Sequence, residues 1–313
     1  MAKIVDYTGG LPGGRNAPDL STVPINDSFD FYFALAFARD LNRDGVFQPD
    51  WDQAITPGVI AQLKQGNGSR KFLASLGGGD NFPWQDPSDV GNWVSAATSS
   101  LSSLMDTYGL DGIDIDYENG LDDSFVQAIG QVVTNLKQQK NAFITITPFG
   151  QTWPAYQSLY QGNSASIDLI NYQAYADGLD EQGYLNLYEN LAQVTGTYAN
   201  LMLGIASSTQ APRGMQPPQI YDVWHSLQGN GIGGAIIWCL EDSKGSDPPY
   251  IIETNVENGA PTWHWQQDTL TANIGAPQAA SAPFAYVTPD GTARVIYQDS
   301  NNNITEIYLA PKG

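Results

Sequence analysis

Three acidic residues stand at alternate positions in one short run of the sequence, Asp114, Asp116 and Glu118. Side chains alternate between the two faces of a strand, so the three carboxylates point one way and the apolar or aromatic residues between them point the other. Neighbouring carboxylates would lie about 6.6 Å apart, close enough for their ionisation to be coupled. At least one of them then keeps its proton near neutral pH, which is the property that a general acid needs.

A solvent-exposed edge strand and a calcium-binding loop are the structural alternatives for this run. Its flanking residues are apolar and it follows a segment of helical pattern, which favours a buried strand. The intervening Ile113, Ile115 and Tyr117 suit a strand better than a metal-ligating loop. A row of acids that points into a core is costly unless the acids share protons or serve a site.

Short apolar runs alternate with longer segments of helical pattern along most of the chain. Eight runs predict strands, at Ile4–Tyr7, Phe29–Phe37, Lys71–Leu76, Gly109–Tyr117, Ala142–Pro148, Ile167–Tyr175, Leu201–Ile205 and Gly234–Leu240. Helices are predicted between them at Pro57–Gln65, Val90–Tyr108, Asp123–Gln139, Leu185–Val194 and Gln216–Gln228. The alternation predicts an α/β fold, a closed (β/α)8 TIM barrel, with a doubly wound open sheet as the alternative. Active sites of such barrels lie at the carboxyl ends of the strands, where Glu118 is expected.

The composition limits the classes of partner. The 313 residues carry a formal net charge of −20, which argues against a nucleic-acid partner and against an anionic membrane but is compatible with a neutral polysaccharide. The single cysteine, Cys239, precludes an internal disulfide and is predicted to be buried in its apolar run. No segment approaches the ~18 apolar residues that span a bilayer, and no signal peptide is evident. A mature secreted form and a cytoplasmic protein both fit, so the localisation stays open.

The sequence changes character towards its carboxyl end. We predict a barrel domain at 1–272 that ends in a helix at Trp263–Ala272, a linker at 273–283 and a β-rich appendage at 284–313. Three strands are predicted in the appendage, at Phe284–Val287, Thr292–Gln298 and Ile304–Leu309. This stretch resembles one blade of the β-propellers of fungal fucose-binding lectins. A single blade cannot close a propeller, so an appended hairpin or meander is the prediction.

The residues Asp111–Glu118, DGIDIDYE, match in full the DxxDxDxE signature of family 18 glycoside hydrolases. Ser75–Gly78 is similar to the SxGG motif of that family, and Trp238 is placed like the tryptophan beneath its reactive sugar. Residues 1–272 most resemble plant class III chitinases of the bulb type and the narbonin-like seed proteins. Further similar stretches are Phe31–Phe37, Ile167–Tyr175, Ile237–Trp238 and Glu241–Ser243.

The resemblance implies a retaining mechanism without an enzymic nucleophile. The 2-acetamido oxygen of the substrate attacks the anomeric carbon and gives an oxazolinium intermediate. Glu118 would protonate the leaving oxygen and later activate water. Asp116 would orient the acetamide N–H, and Asp114 would share a proton with Asp116.

The resemblance also implies the groups that hold the sugar. Tyr175 matches the tyrosine that hydrogen-bonds the acetamido carbonyl, and Gln173 lies beside it on the same face. Trp238 would stack under the sugar ring. Plant members often have Asn directly after this tyrosine, whereas this chain has Ala176 followed by Asp177.

Four more aromatic residues are candidates for the same face of the barrel. Trp84 follows the third predicted strand and Trp153 follows the fifth, so each is a candidate sugar-stacking ring, with a loop anchor as the alternative. Tyr7 and Phe37 lie on the first two predicted strands. Both are expected mainly to fill the barrel, and Tyr7 is kept as a candidate sugar contact.

The leading hypothesis is an endo-acting chitinase that cleaves β-1,4-linked N-acetylglucosamine. One alternative is an endo-β-N-acetylglucosaminidase that cuts the chitobiose core of N-glycans by the same chemistry. The other is a catalytically silent carbohydrate-binding or storage protein. The expected partner is a neutral polysaccharide or N-glycan that contains N-acetylglucosamine, and the chemistry requires no cofactor or metal ion.

Overall fold

The structure is a computed structural model that describes residues 2–10, 14–66, 70–79, 82–207, 214–217, 219–246, 248–258, 284–287, 293–299 and 304–309. The chain divides into two compact units, residues 1–262 and 263–313. The predicted helix at Trp263–Ala272 and the linker at 273–283 lie outside the described residues. Within the described ranges, every helix is too short or too polar to cross a bilayer.

The larger unit is built on a closed parallel barrel. Its strands are, in chain order, β1 (Lys3–Thr8), β2 (Asp30–Arg39), β3 (Gln48–Pro49), β4 (Arg70–Gly77), β5 (Gly112–Asp116), β6 (Phe143–Ile146), β7 (Leu169–Tyr172), β8 (Leu201–Ala206) and β9 (Gly234–Trp238). The barrel order is β1, β9, β8, β7, β6, β5, β4 and β2, and β2 pairs with β1 to close it. The short β3 pairs antiparallel with the end of β2. The predicted TIM barrel is therefore confirmed and the open sheet is wrong.

Helices surround the barrel strands. They are α1 (Pro57–Gly66), α2 (Val90–Tyr108), α3 (Asp123–Lys140), α4 (Trp153–Asn163), α5 (Glu181–Thr195), α6 (Gln219–Gly229), α7 (Leu240–Ser243) and α8 (Ile251–Asn258). Five of these, α1, α2, α3, α5 and α6, were predicted from the sequence to within a few residues. Helices α4, α7 and α8 were not.

The alternation of side chains along the strands produces two separate cores. The interior of the barrel holds one cluster, Val5, Tyr7, Tyr32, Ala34, Leu73, Leu169, Met202, Ile236 and Cys239. Residues of the opposite face pack against the helices, as Ile113 and Ile115 of β5 do. Gly112 begins β5 where a side chain would collide with the carbonyl of Phe143 on β6. The close approach of these two strands therefore requires glycine at this position.

Capped helices hold β5 at both ends. Helix α2 ends at Gly109, whose φ of 65° is a conformation that favours glycine. Helix α3 begins after Asp122, whose carboxylate accepts the backbone N–H groups of Ser124 and Phe125. These two caps fix where the strand starts and where the chain leaves it, and so they set the position of its acidic residues.

The described part of the smaller unit is an antiparallel sheet. Its strands β10 (Phe284–Val287), β11 (Ala293–Gln298) and β12 (Ile304–Leu309) pair in that order. An ion pair of 2.9 Å between Arg294 and Glu306 joins β11 to β12. The three predicted strands are present as a meander, and the resemblance to a lectin blade stays a prediction.

Candidate active site

The three predicted acids lie at the carboxyl end of β5. Asp114 and Asp116 are buried on the strand, whereas Glu118 lies two residues beyond its end and is half-buried. Tyr117 between them turns the other way, with its ring 5.5 Å from that of Trp84. The alternation of the strand thus continues through Glu118.

Asp114 is the most enclosed of the three carboxylates. Its oxygens accept hydrogen bonds from Tyr7 Oη (3.0 Å), Ser75 Oγ (2.7 Å), Thr145 Oγ1 (2.5 Å), Thr147 Oγ1 (2.6 Å) and Asn171 Nδ2 (3.3 Å). Burial raises the pKa of Asp114, and the hydrogen bonds from the hydroxyl groups oppose that rise. Asp114 therefore connects strands from both sides of the barrel beneath the reactive end of the acid row.

The neighbouring acids of the row affect the pKa of Asp116. Burial first, and then the charges of Glu118 and Asp114, raise its pKa well above the ordinary range. Its Oδ1 accepts a hydrogen bond of 3.0 Å from Gln173 Nε2. Asp116 thus keeps its proton to higher pH than a solvent-exposed aspartic acid, as expected for at least one member of the coupled row.

Tyr175 and Gln173 extend this network beyond β7. The predicted strand to Tyr175 is too long, because β7 ends at Tyr172 and a single helical turn at Ala174–Ala176 follows it. The Tyr175 hydroxyl donates to Gln173 Oε1 at 3.0 Å. Burial and the charges of Asp116 and Glu118 raise the pKa of Tyr175, so its hydroxyl stays protonated and remains a donor.

An open cleft of about 440 Å³ lies above the acids. Six of the predicted residues line it: Tyr7, Asp116, Glu118, Gln173, Tyr175 and Trp238. Asp114 lies beneath, in contact with Tyr7. The structure therefore brings the predicted acids, the tyrosine and the β9 tryptophan together at the end of the barrel where active sites of this fold occur.

Aromatic rings form the floor of the cleft. The Trp238 ring centroid is 5.7 Å from that of Tyr7 and 6.1 Å from that of Phe37, which lies within 26° of parallel to it. Phe37 was expected to fill the barrel but lines the cleft instead. Gly78 makes room for it, because a side chain there would overlap the Phe37 ring and the φ of 77° favours glycine.

Neither of the two loop tryptophans lines this cleft, which corrects the expectation of sugar stacking there in favour of the loop-anchor alternative. Trp84 is 4% exposed, and its Nε1 donates to Ser124 Oγ at 2.9 Å. Trp153 is the first residue of α4, and its ring packs edge-on against Tyr172 at 6.0 Å. Both rings anchor surrounding elements.

Arg39 and Phe82 line the cleft although the sequence did not single them out. Arg39 ends β2, and Phe82 lies two residues before the predicted Trp84. The one sequence signal for a role in the cleft was their position at or after the carboxyl end of a barrel strand, which many other residues share. Across the described ranges, no group of three or more His, Cys, Asp or Glu residues is arranged to hold a metal ion.

A closed (β/α)8 barrel with acids and aromatic rings at its carboxyl end is typical of barrel glycoside hydrolases. The chain belongs to the family described as Glycosyl hydrolases family 18, which its residues 31–221 match.

Relatives of this chain include plant proteins of more than one kind. Chitinase 1 of Tulipa saxatilis subsp. bakeri is 32% identical over 263 residues, which is 78% of this chain and 83% of that protein. The RuBisCO-associated protein of Glycine max is 32% identical over 244 residues, which is 70% of this chain and 86% of that protein. The catalytic domain of a family GH18 chitinase from the fern Peteris ryukyuensis has a TM-score of 0.74 and 30% identity, covering 82% of this chain and 98% of that one. Relatives at the same level of identity thus have different names, and the shared barrel alone does not define a reaction.

Proposed function

We propose that the protein is a retaining glycoside hydrolase that cleaves β-1,4-linked N-acetylglucosamine in chitin or its oligomers by substrate-assisted catalysis. The observation that carries this proposal is that Asp116, Glu118, Tyr175 and Trp238 line one cleft. The names of the tulip and fern relatives, both chitinases, support the substrate class.

In the first step, a sugar lies on Trp238 and Glu118 donates a proton to the glycosidic oxygen. The bond from that oxygen to the anomeric carbon breaks while the acetamido carbonyl oxygen forms a new bond to the same carbon. The Tyr175 hydroxyl, which donates to Gln173 in this structure, turns to the acetamido oxygen and exchanges one hydrogen bond for another. This orientation of the attacking oxygen lowers the entropic part of the barrier.

Asp116 supports the intermediate electrostatically. Its raised pKa favours the neutral form before positive charge develops on the sugar. Positive charge that develops on the neighbouring oxazolinium ring favours the carboxylate instead. Asp116 therefore passes its proton to the neighbouring Asp114, with which the family resemblance has it share one, and as a carboxylate it accepts the acetamide N–H and balances the positive ring.

In the second step, the Glu118 carboxylate removes a proton from a water molecule that attacks the anomeric carbon. The bond to the acetamido oxygen breaks, the configuration is retained, and Glu118 regains its proton for the next cycle.

Product analysis on two substrates tests the proposal. The wild type should release short N-acetylglucosamine oligomers from a chitin hexamer, and Glu118→Gln should lower kcat by about 10²–10⁴-fold with an unchanged circular dichroism spectrum. Glu189→Gln, the same change on the exposed face of α5, serves as the control and should keep the wild-type rate.

A high-mannose glycoprotein is the second substrate. Release of its glycan without cleavage of the hexamer would assign an endo-β-N-acetylglucosaminidase instead. Binding of either sugar without hydrolysis across a pH series would assign a sugar-binding protein. A Glu118→Gln protein as active as the wild type would show that the acid is misassigned.

A further inference from the structure

The floor of the cleft continues from Trp238 towards the end of β2. The guanidinium carbon of Arg39 lies 5.3 Å from the Phe37 ring centroid and 3.4 Å from that of Phe82. Because Phe37 itself packs on Trp238, these contacts form one continuous surface. We call Phe37, Arg39 and Phe82 the Arg39 floor.

An ion pair with Asp50 holds the Arg39 guanidinium in place. Its Nη1 donates to Asp50 Oδ2 at 2.7 Å, and the Asp50 backbone N–H donates to the carbonyl of Phe37 at 2.8 Å. The pairing of β2 with β3 places Arg39 opposite Gln48. The Arg39 side chain is 19% exposed and lines the cleft, so a ligand in the cleft can contact it. A planar donor held in this way loses little side-chain entropy when it binds a ligand.

A smaller cavity of about 160 Å³ adjoins the Arg39 floor. Arg39 and Phe82 line both this side pocket and the cleft, and the rings of Trp84 and Trp93 line the pocket too. The Asp40 carboxylate in its wall already accepts the Trp93 Nε1–H at 2.9 Å and two backbone N–H groups. The side pocket thus combines guanidinium donors with aromatic carbon.

We propose that the Arg39 floor binds the sugar that adjoins the one on Trp238, and that the side pocket takes the 2-acetamido group of this second sugar. Arg39 donates a hydrogen bond to the acetamido oxygen, and the methyl group contacts the rings. Arg39 thereby selects N-acetylated over free-amine sugars at the second position. This inference rests on the proposed function and adds a specificity-determining residue to it.

Chemical complementarity supports an acetamido group over other substituents. A free-amine sugar has neither the carbonyl oxygen nor the methyl group, and its ammonium has the same sign of charge as the guanidinium. A bare hydroxyl could accept from Arg39 but would leave the aromatic part of the side pocket without an apolar partner. The acetamido group satisfies both parts of the lining at once.

Calorimetric binding to the Glu118→Gln protein tests the inference without turnover. The two ligands are a fully N-acetylated chitin hexamer and a hexamer in which N-acetylated and free-amine units alternate. The parent should bind the alternating hexamer about tenfold more weakly, the effect of one hydrogen bond to a charged donor. Adding Arg39→Gln should reduce the ratio of the two dissociation constants to about threefold or less, because the donor that binds the acetyl oxygen is lost.

Lys140→Gln in the same background is the matched control. Lys140 also belongs to an ion pair, with Asp106 between α3 and α2, and lies on the outer surface of the barrel. Lys140→Gln should leave the ratio of the two dissociation constants at the parent value. Arg39→Lys, which retains the charge but not the planar fork, should give an intermediate ratio and replaces Arg39→Gln if that variant does not fold.

The outcomes separate this inference from the proposed function. Equal ratios in the parent and Arg39→Gln would overturn it, as would a parent that binds both hexamers alike. In either case hexamer binding itself would leave the proposed function standing. A parent that binds neither hexamer would remove both proposals together.

Discussion

The three acids of the active-site row meet the cost of burial in different ways. Asp114 is buried among hydroxyl and amide donors that satisfy its oxygens. Asp116 accepts a hydrogen bond from the side chain of Gln173, and its raised pKa favours the neutral form. Glu118 lies beyond the strand, half-buried at the wall of the cleft. The row is therefore tolerated because its members differ in solvation, and this difference also separates their chemical roles.

The Glu118→Gln substitution should lower the pKa of Asp116. The charge of Glu118 is the second cause of the raised value, after burial, so its removal takes away one part of the rise and leaves the other. Carboxyl carbon NMR titration should show Asp116 ionising at lower pH than in the wild type but still above the ordinary range. Glu189→Gln should leave the titration unchanged, and an unaltered Asp116 in Glu118→Gln would contradict the coupling.

Glu241 joins the end of β1 to the chain that follows Trp238. Glu241 lies on α7, and its Oε1 accepts the Gly9 N–H at 2.6 Å and the Thr8 hydroxyl at 3.0 Å. The next residue, Gly10, lines the cleft. This buried carboxylate therefore holds two neighbouring parts of the cleft wall together.

Loss of the Glu241 contact should loosen the cleft wall. Glu241→Ala removes the acceptor of two buried donors and should lower the free energy of unfolding by about 2–3 kcal/mol. Glu241→Gln keeps an acceptor oxygen and should cost about 1 kcal/mol. Urea unfolding would measure both changes. The KM for the chitin hexamer should rise in the same order, and equal effects of the two variants would contradict a role for the acceptor oxygen.

The elements that the sequence predicted well share one property, a regular period. The strands that carry Tyr7 and Asp114 have apolar runs bounded by turn residues, and the period of two places the acids on one face. Helix α4 was missed although Tyr156, Leu159 and Tyr160 have helical spacing and are buried, because Pro154 and Gly162 near its ends suggest a loop. Its proline stands in the first turn, where a helix accepts it.

The direction of a loop side chain has no comparable period. Trp84 and Phe82 lie in the same loop after β4, yet Phe82 lines the cleft and Trp84 packs against the Phe125 ring at 5.6 Å. Which of the two turns inward depends on contacts from distant parts of the chain, here Arg39 for Phe82 and Ser124 for Trp84. The core of the site was therefore predictable and its aromatic extension was not.

Part of the acidic composition of this chain is a buried cluster of carboxyl groups. Asp6 on β1 lies in the larger unit with Glu241, Glu253 and Glu257 of α7 and α8, all of them buried. Burial first, then the charges of Glu253, Glu257 and Glu241, raise the pKa of Asp6 well above its ordinary value. Burial raises the pKa of Glu257 to about 7. Among the described residues, neither oxygen of Asp6 has a hydrogen-bond partner.

This cluster should make the protein less stable as the pH rises from about 4.5 through about 7. A carboxyl group whose pKa is raised on folding binds more protons in the folded state than in the unfolded state across that window. Its contribution is therefore complete below the unfolded pKa and is lost as the pH passes the folded pKa. Urea unfolding between pH 4.5 and pH 8 would measure the decline.

Asp6→Asn should make that decline shallower, because the amide is neutral at every pH and no longer has to hold a proton beside Glu253 and Glu257. The stabilisation relative to the wild type should reach about 1 kcal/mol or more at pH 8 and vanish near pH 4, where the wild-type cluster is already protonated. Asp86→Asn, the same change at an exposed position, should follow the wild-type profile. If Asp6→Asn instead destabilised the protein equally at both ends of the range, the buried carboxyl group would be ionised in the folded state, and the charges around it would have to be compensated elsewhere.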